Sequence, residues 1–206
     1  MDIYDQHEQS ERVRSWLKDN ASAILGGIVI GLGAIVGYHQ WQNHTARKAH
    51  TAAALFEQAR SADDSADAPA LVQLRSDFAR NGFAALAGFE QAQRELQAGD
   101  AAAAAASLAW VRDNARDDAL KSLASLRLAR LQWAAGESEQ ALATLDGARA
   151  AGFTAEREEL RGDVLAALGR GDEARQAYLA AREAGALDTT GLAIKLAEYG
   201  ESGDEA

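Results

Sequence analysis

The stretch Leu126–Ala148, LRLARLQWAAGESEQALATLDGA, decides the fold of this chain. Its two halves keep the helical spacing of apolar residues, and Gly136 stands between them. Glycine ends a helix readily because it lacks the Cβ atom that disfavours a positive φ. Small residues such as Ala129 and Ala141 would let the two helices cross closely, and Leu145 would fill the space toward the next hairpin. The stretch therefore predicts a helical hairpin.

Two other segments of the chain repeat this pattern. The three aligned segments are residues 92–111, 129–148 and 162–181, superposed on Gly99, Gly136 and Gly169 at intervals of 37 and 33 residues. A two-helix unit with a period near 34 is typical of tetratricopeptide repeats. The first unit is the weakest, because the run Ala101–Ala106 forms helix well but has little volume to pack. We predict an all-α fold with a tetratricopeptide-repeat-like solenoid at residues 69–200.

The predicted turns carry an acidic residue beside each glycine. These pairs are Gly99-Asp100, Gly136-Glu137 and Gly171-Asp172. Downstream, residues 190–199 place Leu192, Leu196 and Tyr199 on one helical face, which predicts a helix that caps the last hairpin. Residues 201–206 are predicted to form a disordered tail.

A long apolar segment lies near the N-terminus. Residues 21–38 read ASAILGGIVIGLGAIVGY, and no Asp, Glu, Lys or Arg occurs from Asn20 to Ala46. As a helix, Ala21–Trp41 would reach roughly 30 Å, the thickness of a bilayer core. Trp16 on one side and Trp41 on the other suit the two headgroup layers. We predict a transmembrane helix at residues 21–41.

A cleaved signal peptide and a buried core helix are the alternatives for this segment. A signal peptide needs a basic start and a small-x-small cleavage site. Here acidic residues precede the segment and the bulky GYHQWQNH, residues 37–44, follows it. A core helix seldom runs this far without a charge. Both alternatives are therefore disfavoured.

The basic residues near the two ends of the segment bear on orientation. Three precede it and two follow it: Arg12, Arg14 and Lys18, then Arg47 and Lys48. This slight excess favours a cytoplasmic tail at residues 1–20 and an exported C-terminal domain. Helical spacing continues beyond the membrane, so residues 42–68 are predicted to form a helical stalk and linker.

Glycines in the predicted membrane helix occur in two GxxxG pairs. Gly27 and Gly31 form the first pair, and Gly33 and Gly37 form the second. This spacing lets another helix approach the backbone closely, so the four glycines are candidates for a contact face within the membrane. The alternative is that glycine is simply frequent in membrane helices.

Composition and motifs exclude several classes of function. The net charge of −10 argues against a nucleic-acid surface, and the absence of cysteine excludes disulfides and thiolate metal sites. His39, His44 and His50 lack the i, i+4 spacing of a helical metal site. The acidic run at residues 63–67 lacks the glycine and glutamate of a calcium loop. With no recognisable catalytic motif, we predict a non-enzymatic protein without cofactor or metal.

The order of features along the chain resembles one family. Tyr4, the EQSE of residues 8–11, Trp16, the glycine-rich GGIVIGLGAIVGY, Trp41 and a short divergent repeat domain are together similar to the YfgM family. Members of this family are ancillary subunits of the bacterial Sec translocon. The resemblance implies an inner-membrane protein with periplasmic repeats, bound to the translocon and to a membrane-anchored prolyl-isomerase-like chaperone. The implied role is to help pass newly translocated proteins to periplasmic folding factors.

Such an adaptor would use a groove lined by the first helices of its repeats. The candidate groove residues are Arg127, Arg130, Gln132, Arg161 and Leu165, whose alternative is ordinary solvated helix surface. Two other functions share the same architecture. One is a bitopic regulator whose tail, residues 1–20, binds a soluble protein, and the other is a scaffold in outer-membrane or cell-wall assembly.

Overall fold

The computed structural model describes residues 12–61, 69–186 and 189–200 of the chain. Within these ranges the chain is helical and contains no strand, which confirms the predicted fold class. The predicted linker at 62–68, the tail at 201–206 and residues 1–11 lie outside the described residues. The helices are α1 (residues 12–19), α2 (Ala21–Ser61), α3 (Pro69–Asp77), α4 (Gly82–Gln97), α5 (Ala101–Asn114), α6 (Asp118–Ala134), α7 (Ser138–Leu145), α8 (Thr154–Ala167), α9 (Gly171–Glu183) and α10 (Thr189–Gly200), with a 3₁₀ turn at Ala151–Phe153.

Helix α2 runs through the whole apolar segment and continues for five turns beyond it. None of its residues from 21 to 50 is buried, and large apolar side chains such as Ile30 and Val36 expose 74% and 67% of their surface. A helix of a soluble core would bury these groups, because exposed apolar area is costly in water. The segment therefore has the length, composition and exposure of a membrane-spanning helix.

The chain divides into two compact units, the first ending at His50 and the second beginning at Thr51. The last turns of α2 belong to the second unit, since Leu55 and Ala59 pack in one cluster with Leu71 of α3 and Ala84 of α4. The predicted stalk included this part of α2, and the predicted repeat domain started at Pro69. The structure begins the domain earlier, because burial of Leu55 requires α3 and α4, which lie distant in sequence.

Three antiparallel hairpins, α4–α5, α6–α7 and α8–α9, form the body of the second unit. Each first helix ends at a glycine with positive φ: Gly99 at 82°, Gly136 at 84° and Gly169 at 73°. At the first of these turns, the N–H groups of Gly99 and Asp100 donate to the carbonyls of Leu96 and Glu95. The same pair of bonds recurs at the other two turns, so all three helices end in a Schellman motif. In the third turn Gly171 already belongs to α9, and Gly169 is the residue that ends the helix.

Helices α8 and α9, and likewise α4 and α5, cross closely because a glycine stands at each crossing. A Cβ atom on Gly162 of α8 would collide with the ring of Tyr178 on α9, and one on Gly88 of α4 would collide with Val111 on α5. Tyr178 is 2% exposed and occupies the space that Gly162 leaves. Large side chains also fill the space beside the small residues of the alanine-rich α5. Phe89 of α4 packs there, together with Trp110 of α5 itself.

Helix α10 closes the C-terminal end of the solenoid, as predicted. It packs on α9, and Leu192 is 1% exposed in a cluster with Ala177 and Tyr178. A fourth Schellman motif precedes it at Gly185, whose φ is 84°. Helices α4, α6, α8 and α9 therefore all end in the same hydrogen-bonded motif.

Candidate interaction surfaces

The four glycines of the membrane segment do not share one face of α2. At about 100° per residue, Gly27 and Gly31 lie about 120° around the helix from Gly33 and Gly37. Nothing lies within 4 Å of the Cβ position of any of the four. Each pair is therefore open to a neighbouring helix, but the structure provides two narrow candidate faces where the sequence suggested a single one.

The first helices of the hairpins, α4, α6 and α8, lie side by side along one face of the solenoid. A groove of about 340 Å³ lies between α4 and α6. We call it the α4–α6 groove; its lining is Phe89, Ala92, Gln93, Leu96, Leu108, Arg127, Arg130 and Leu131. Most of this lining is apolar, and the two arginines stand at its edge on α6.

The two arginines of this groove are exposed. The guanidinium carbon of Arg127 lies 5.0 Å from the ring centroid of Phe89, in a cation–π contact. Neither Arg127 nor Arg130 makes an ion pair with any residue that the structure describes. The groove thus presents positive charge beside apolar surface on a chain whose net charge is −10.

A second hollow, of about 380 Å³, continues the same face between α6 and α8. Arg130 and Trp133 line it on the α6 side, and Glu159 and Asp163 line it on the α8 side. Two of its three carboxylates are already engaged, because Lys195 of α10 approaches Glu159 at 2.9 Å and Asp163 at 2.7 Å; Glu156 lines the hollow as well. Glu159 and Asp163 are therefore paired within the chain itself.

Tyr178 joins this cluster from α9. Its hydroxyl donates to Asp163 Oδ1 at 2.9 Å, and the Lys195 ammonium lies 5.6 Å from its ring centroid. Burial, helped by the bond to Asp163, raises the pKa of Tyr178 well above its ordinary value. Burial opposes the charge of Lys195, but its bonds to Asp163 and Glu159 prevail and raise the pKa of the ammonium. We call Lys195, Tyr178, Glu159 and Asp163 the Lys195 network.

Three of the five predicted groove residues lie elsewhere. Leu165 is 4% exposed in the core with Tyr178, and Gln132 is 6% exposed, its Oε1 without a partner among the described residues. Arg161 pairs with Asp146 at 2.6 Å, and it faces a separate pocket between α7, α8 and α9. Only Arg127 and Arg130 share the α4–α6 groove, so the prediction of a single groove made by all five residues is not supported by their positions.

Helical phase separates these residues. Gln132 follows Arg130 by two positions, which places it about 200° around α6 and toward the core. Arg161 lies in the same relation to Glu159 on α8. Phe89, Leu96 and Trp133 line the two hollows but were not among the predicted groove residues. Phe89 and Leu96 lie seven residues apart on one face of α4, a spacing that could have indicated them.

The described residues contain no group of three or more His, Cys, Asp or Glu side chains placed to hold a metal ion. His39, His44 and His50 lie on the exposed surface of α2. The acidic run at 63–67 lies outside the described residues. The first-helix face carries apolar side chains beside exposed arginines and paired carboxylates.

Comparison with known proteins gives consistent matches over most of the chain. Residues 14–201 match the model of a family described as tetratricopeptide repeat-like domain. The chain is 32% identical to an ancillary SecYEG translocon subunit of Escherichia coli K12, over 86% of this chain and 88% of that protein. Proteins of the same description from Aggregatibacter actinomycetemcomitans and Haemophilus influenzae are 28% and 25% identical, over 93% and 88% of this chain and 96% and 90% of theirs.

Proposed function

Because the chain belongs to the tetratricopeptide repeat-like family of the ancillary SecYEG translocon subunits, we propose that it is a non-catalytic adaptor of the bacterial inner membrane. It associates with the Sec translocon through its membrane helix. Its repeat domain, in the periplasm, helps pass newly translocated proteins to a membrane-anchored prolyl-isomerase-like chaperone. The relatives support translocon association by their description, and the chaperone step is the finer part of the proposal.

One structural observation carries this function most directly. A single helix, α2, contains both a fully exposed apolar segment and the turns that pack into a repeat domain. The apolar segment needs lipid or other membrane helices around it. The repeat domain leaves the α4–α6 groove open for a polypeptide. Such a chain can hold a soluble binding domain beside a membrane complex without any chemistry of its own.

Orientation follows from the basic residues around the segment. Arg12, Arg14 and Lys18 on the N-terminal side outnumber Arg47 and Lys48 on the other side. Lys and Arg favour the cytoplasmic side, so the N-terminus lies in the cytoplasm and the repeats lie in the periplasm.

A bitopic regulator is the second candidate function, and α1 is the feature that favours it. Val13, Trp16 and Leu17 lie on one side of this short helix and expose 58%, 60% and 48% of their surfaces. Such a stripe can dock a soluble protein in the cytoplasm or rest on the membrane surface. Deletion of residues 2–15 separates the two functions: an adaptor keeps its periplasmic partners, whereas a regulator loses its output.

Paired glycine substitutions test the membrane part of the proposal. The double variant Gly33→Leu with Gly37→Leu blocks one face of α2, and Gly27→Leu with Gly31→Leu blocks the other. Each double variant is therefore the matched control for the other. We expect one of them to lower co-purification of translocon subunits at an unchanged level of the protein. Equal, full recovery with both would remove the glycine faces as contacts. Absence of translocon subunits from the wild-type preparation would contradict the proposed association itself.

A further inference from the structure

The α4–α6 groove combines an apolar lining with two arginines that make no ion pair with any described residue. Leu96, which is 43% exposed, and the partly buried Leu131 form its accessible apolar part, and Phe89 and Leu108 lie beneath them at 7% and 2% exposure. Apolar side chains of a ligand would lose contact with water here at a gain of roughly 25 cal/mol per Å² buried. The lining therefore favours a ligand with large aliphatic or aromatic side chains.

Charge at the rim selects among apolar ligands. The guanidinium of Arg127 lies over the ring of Phe89, it makes no ion pair with a residue that the structure describes, and Arg130 is exposed nearby. Several other arginines of this chain pair with carboxylates, as Arg161 does with Asp146 and Arg170 with Glu173. A guanidinium donates two parallel hydrogen bonds to a carboxylate, which makes acidic side chains the natural partners of Arg127 and Arg130.

Nucleic acid and basic peptides fit this surface less well. Phosphate backbones require many clustered cations, whereas this groove has two on a chain of net charge −10. A lysine-rich peptide would meet Arg127 and Arg130 at close range and be repelled.

We propose that the α4–α6 groove binds a polypeptide segment in which apolar side chains are flanked by carboxylates. This inference rests on the adaptor function proposed above and names the chemistry of the segment that the repeat domain receives. Apolar side chains of the segment lie against Leu96 and Leu131. Its carboxylates accept hydrogen bonds from Arg127 and Arg130.

Three fluorescein-labelled peptides test the proposal with the full-length protein in nanodiscs, and empty nanodiscs serve as the reference. The first peptide has Leu and Phe flanked by Glu, the second has Lys in place of every Glu, and the third has Ser in place of every Leu and Phe. By fluorescence anisotropy, we expect the first peptide to bind about tenfold tighter than either of the others. We also expect its affinity to fall with added salt, since charge selects it.

Charge reversal gives the most specific outcome. The double variant Arg127→Glu with Arg130→Glu should lose the Glu peptide and gain the Lys peptide. Arg116→Glu with Arg149→Glu, which makes the same charge change outside the groove, should keep the wild-type preference. Leu96→Ser should weaken binding of the Glu peptide, and Ile194→Ser, at an exposed apolar residue of α10, should leave it unchanged.

Several results would overturn the inference. Equal binding of the three peptides, or an unchanged preference after charge reversal, would show that the groove does not select acidic segments. A change in oligomeric state of the reversed variant by light scattering would assign the groove to a second copy of the chain. Translocon co-purification of the same variants separates the two proposals: selective peptide binding without translocon subunits contradicts the adaptor function, and the reverse pattern contradicts the groove alone.

Discussion

The two halves of the first-helix face differ in whether their charged side chains form ion pairs within the chain. In the Lys195 network, the ammonium of Lys195 lies within 2.9 Å of Glu159 and 2.7 Å of Asp163, and Tyr178 donates to Asp163 as well. In the α4–α6 groove, Arg127 and Arg130 have no acidic partner among the described residues. Charges paired within the chain hold its own helices together, whereas unpaired charges beside apolar surface remain available to another molecule. The comparison therefore separates a stabilising half, the Lys195 network, from the half that we propose as the binding half, the α4–α6 groove.

The largest expected effect comes from filling the space that Gly162 leaves for Tyr178. Gly162→Ala should lower the free energy of unfolding by about 3 kcal/mol, because the new Cβ atom must displace a buried ring. Urea unfolding of the fragment from Thr51 onward, followed by circular dichroism, measures this loss. Gly82→Ala is the matched control, since nothing lies within 4 Å of its Cβ position, and it should change stability by less than about 1 kcal/mol. Equal effects of the two substitutions would contradict the packing described here.

Removal of Lys195 should have the next largest effect. Lys195→Met leaves Glu159 and Asp163 as two partly buried carboxylates without their cation, and should cost about 2 kcal/mol of stability. The same unfolding measurement applies. Lys121→Met removes a lysine whose partner Asp118 is largely exposed, and should cost less than about 1 kcal/mol. A loss at Lys195 no greater than at Lys121 would mean that α10 does not depend on the network.

Alkaline pH offers an independent way to probe the same cluster. The pKa values of Tyr178 and Lys195 are both raised by folding, so the folded state retains protons that the unfolded state releases. Their stabilising contribution is complete below their ordinary pKa values and is lost as the pH rises above about 10. Stability of wild type should fall between pH 10 and 11 by about 1 kcal/mol more than that of Tyr178→Phe. Parallel stability curves for the two proteins would contradict this linkage.

The smallest effect is expected in the binding half of the face. Replacing Arg127 and Arg130 together with Gln should change the free energy of unfolding by less than about 0.5 kcal/mol, because both side chains are exposed and make no ion pair within the described part of the chain. Thermal unfolding of this double variant beside wild type measures the difference. A loss of more than about 2 kcal/mol would show that these arginines support the fold, and the distinction between the two halves would fail.

The repeat fold could be predicted from local chemistry. A glycine that adopts positive φ at the end of a helix leaves a clear signal, and Gly99, Gly136 and Gly169 all do so. Gly185 forms the same motif, but this motif was not predicted, because Gly185 precedes the cap and has no counterpart in the aligned repeats. The burial of Leu55 at the N-terminal end could not be predicted from local sequence either, since its partners come from α3 and α4. Contacts between distant segments, rather than propensities, set that boundary.

The binding surface was predicted only in part, and helical phase explains the division. Arg127 and Arg130, three residues apart on α6, share one face and both line the groove. Gln132 and Leu165 lie on core-facing sides of α6 and α8, which the same spacing rule could have indicated. Which arginines lack acidic partners depends on tertiary packing, so the sequence could not distinguish Arg130 from Arg161.

Photocrosslinking in living cells is the most direct test of whether this chain is an adaptor beside the Sec translocon. Crosslinking residues at Ile24 and Ile30, each three positions before one glycine pair, sample the two faces of α2, and one at Arg130 samples the first-helix face. We expect translocon subunits to be captured from one of the membrane positions, and a periplasmic chaperone or a translocating chain to be captured from residue 130. Capture of only cytoplasmic or cell-wall-synthesis proteins would contradict it.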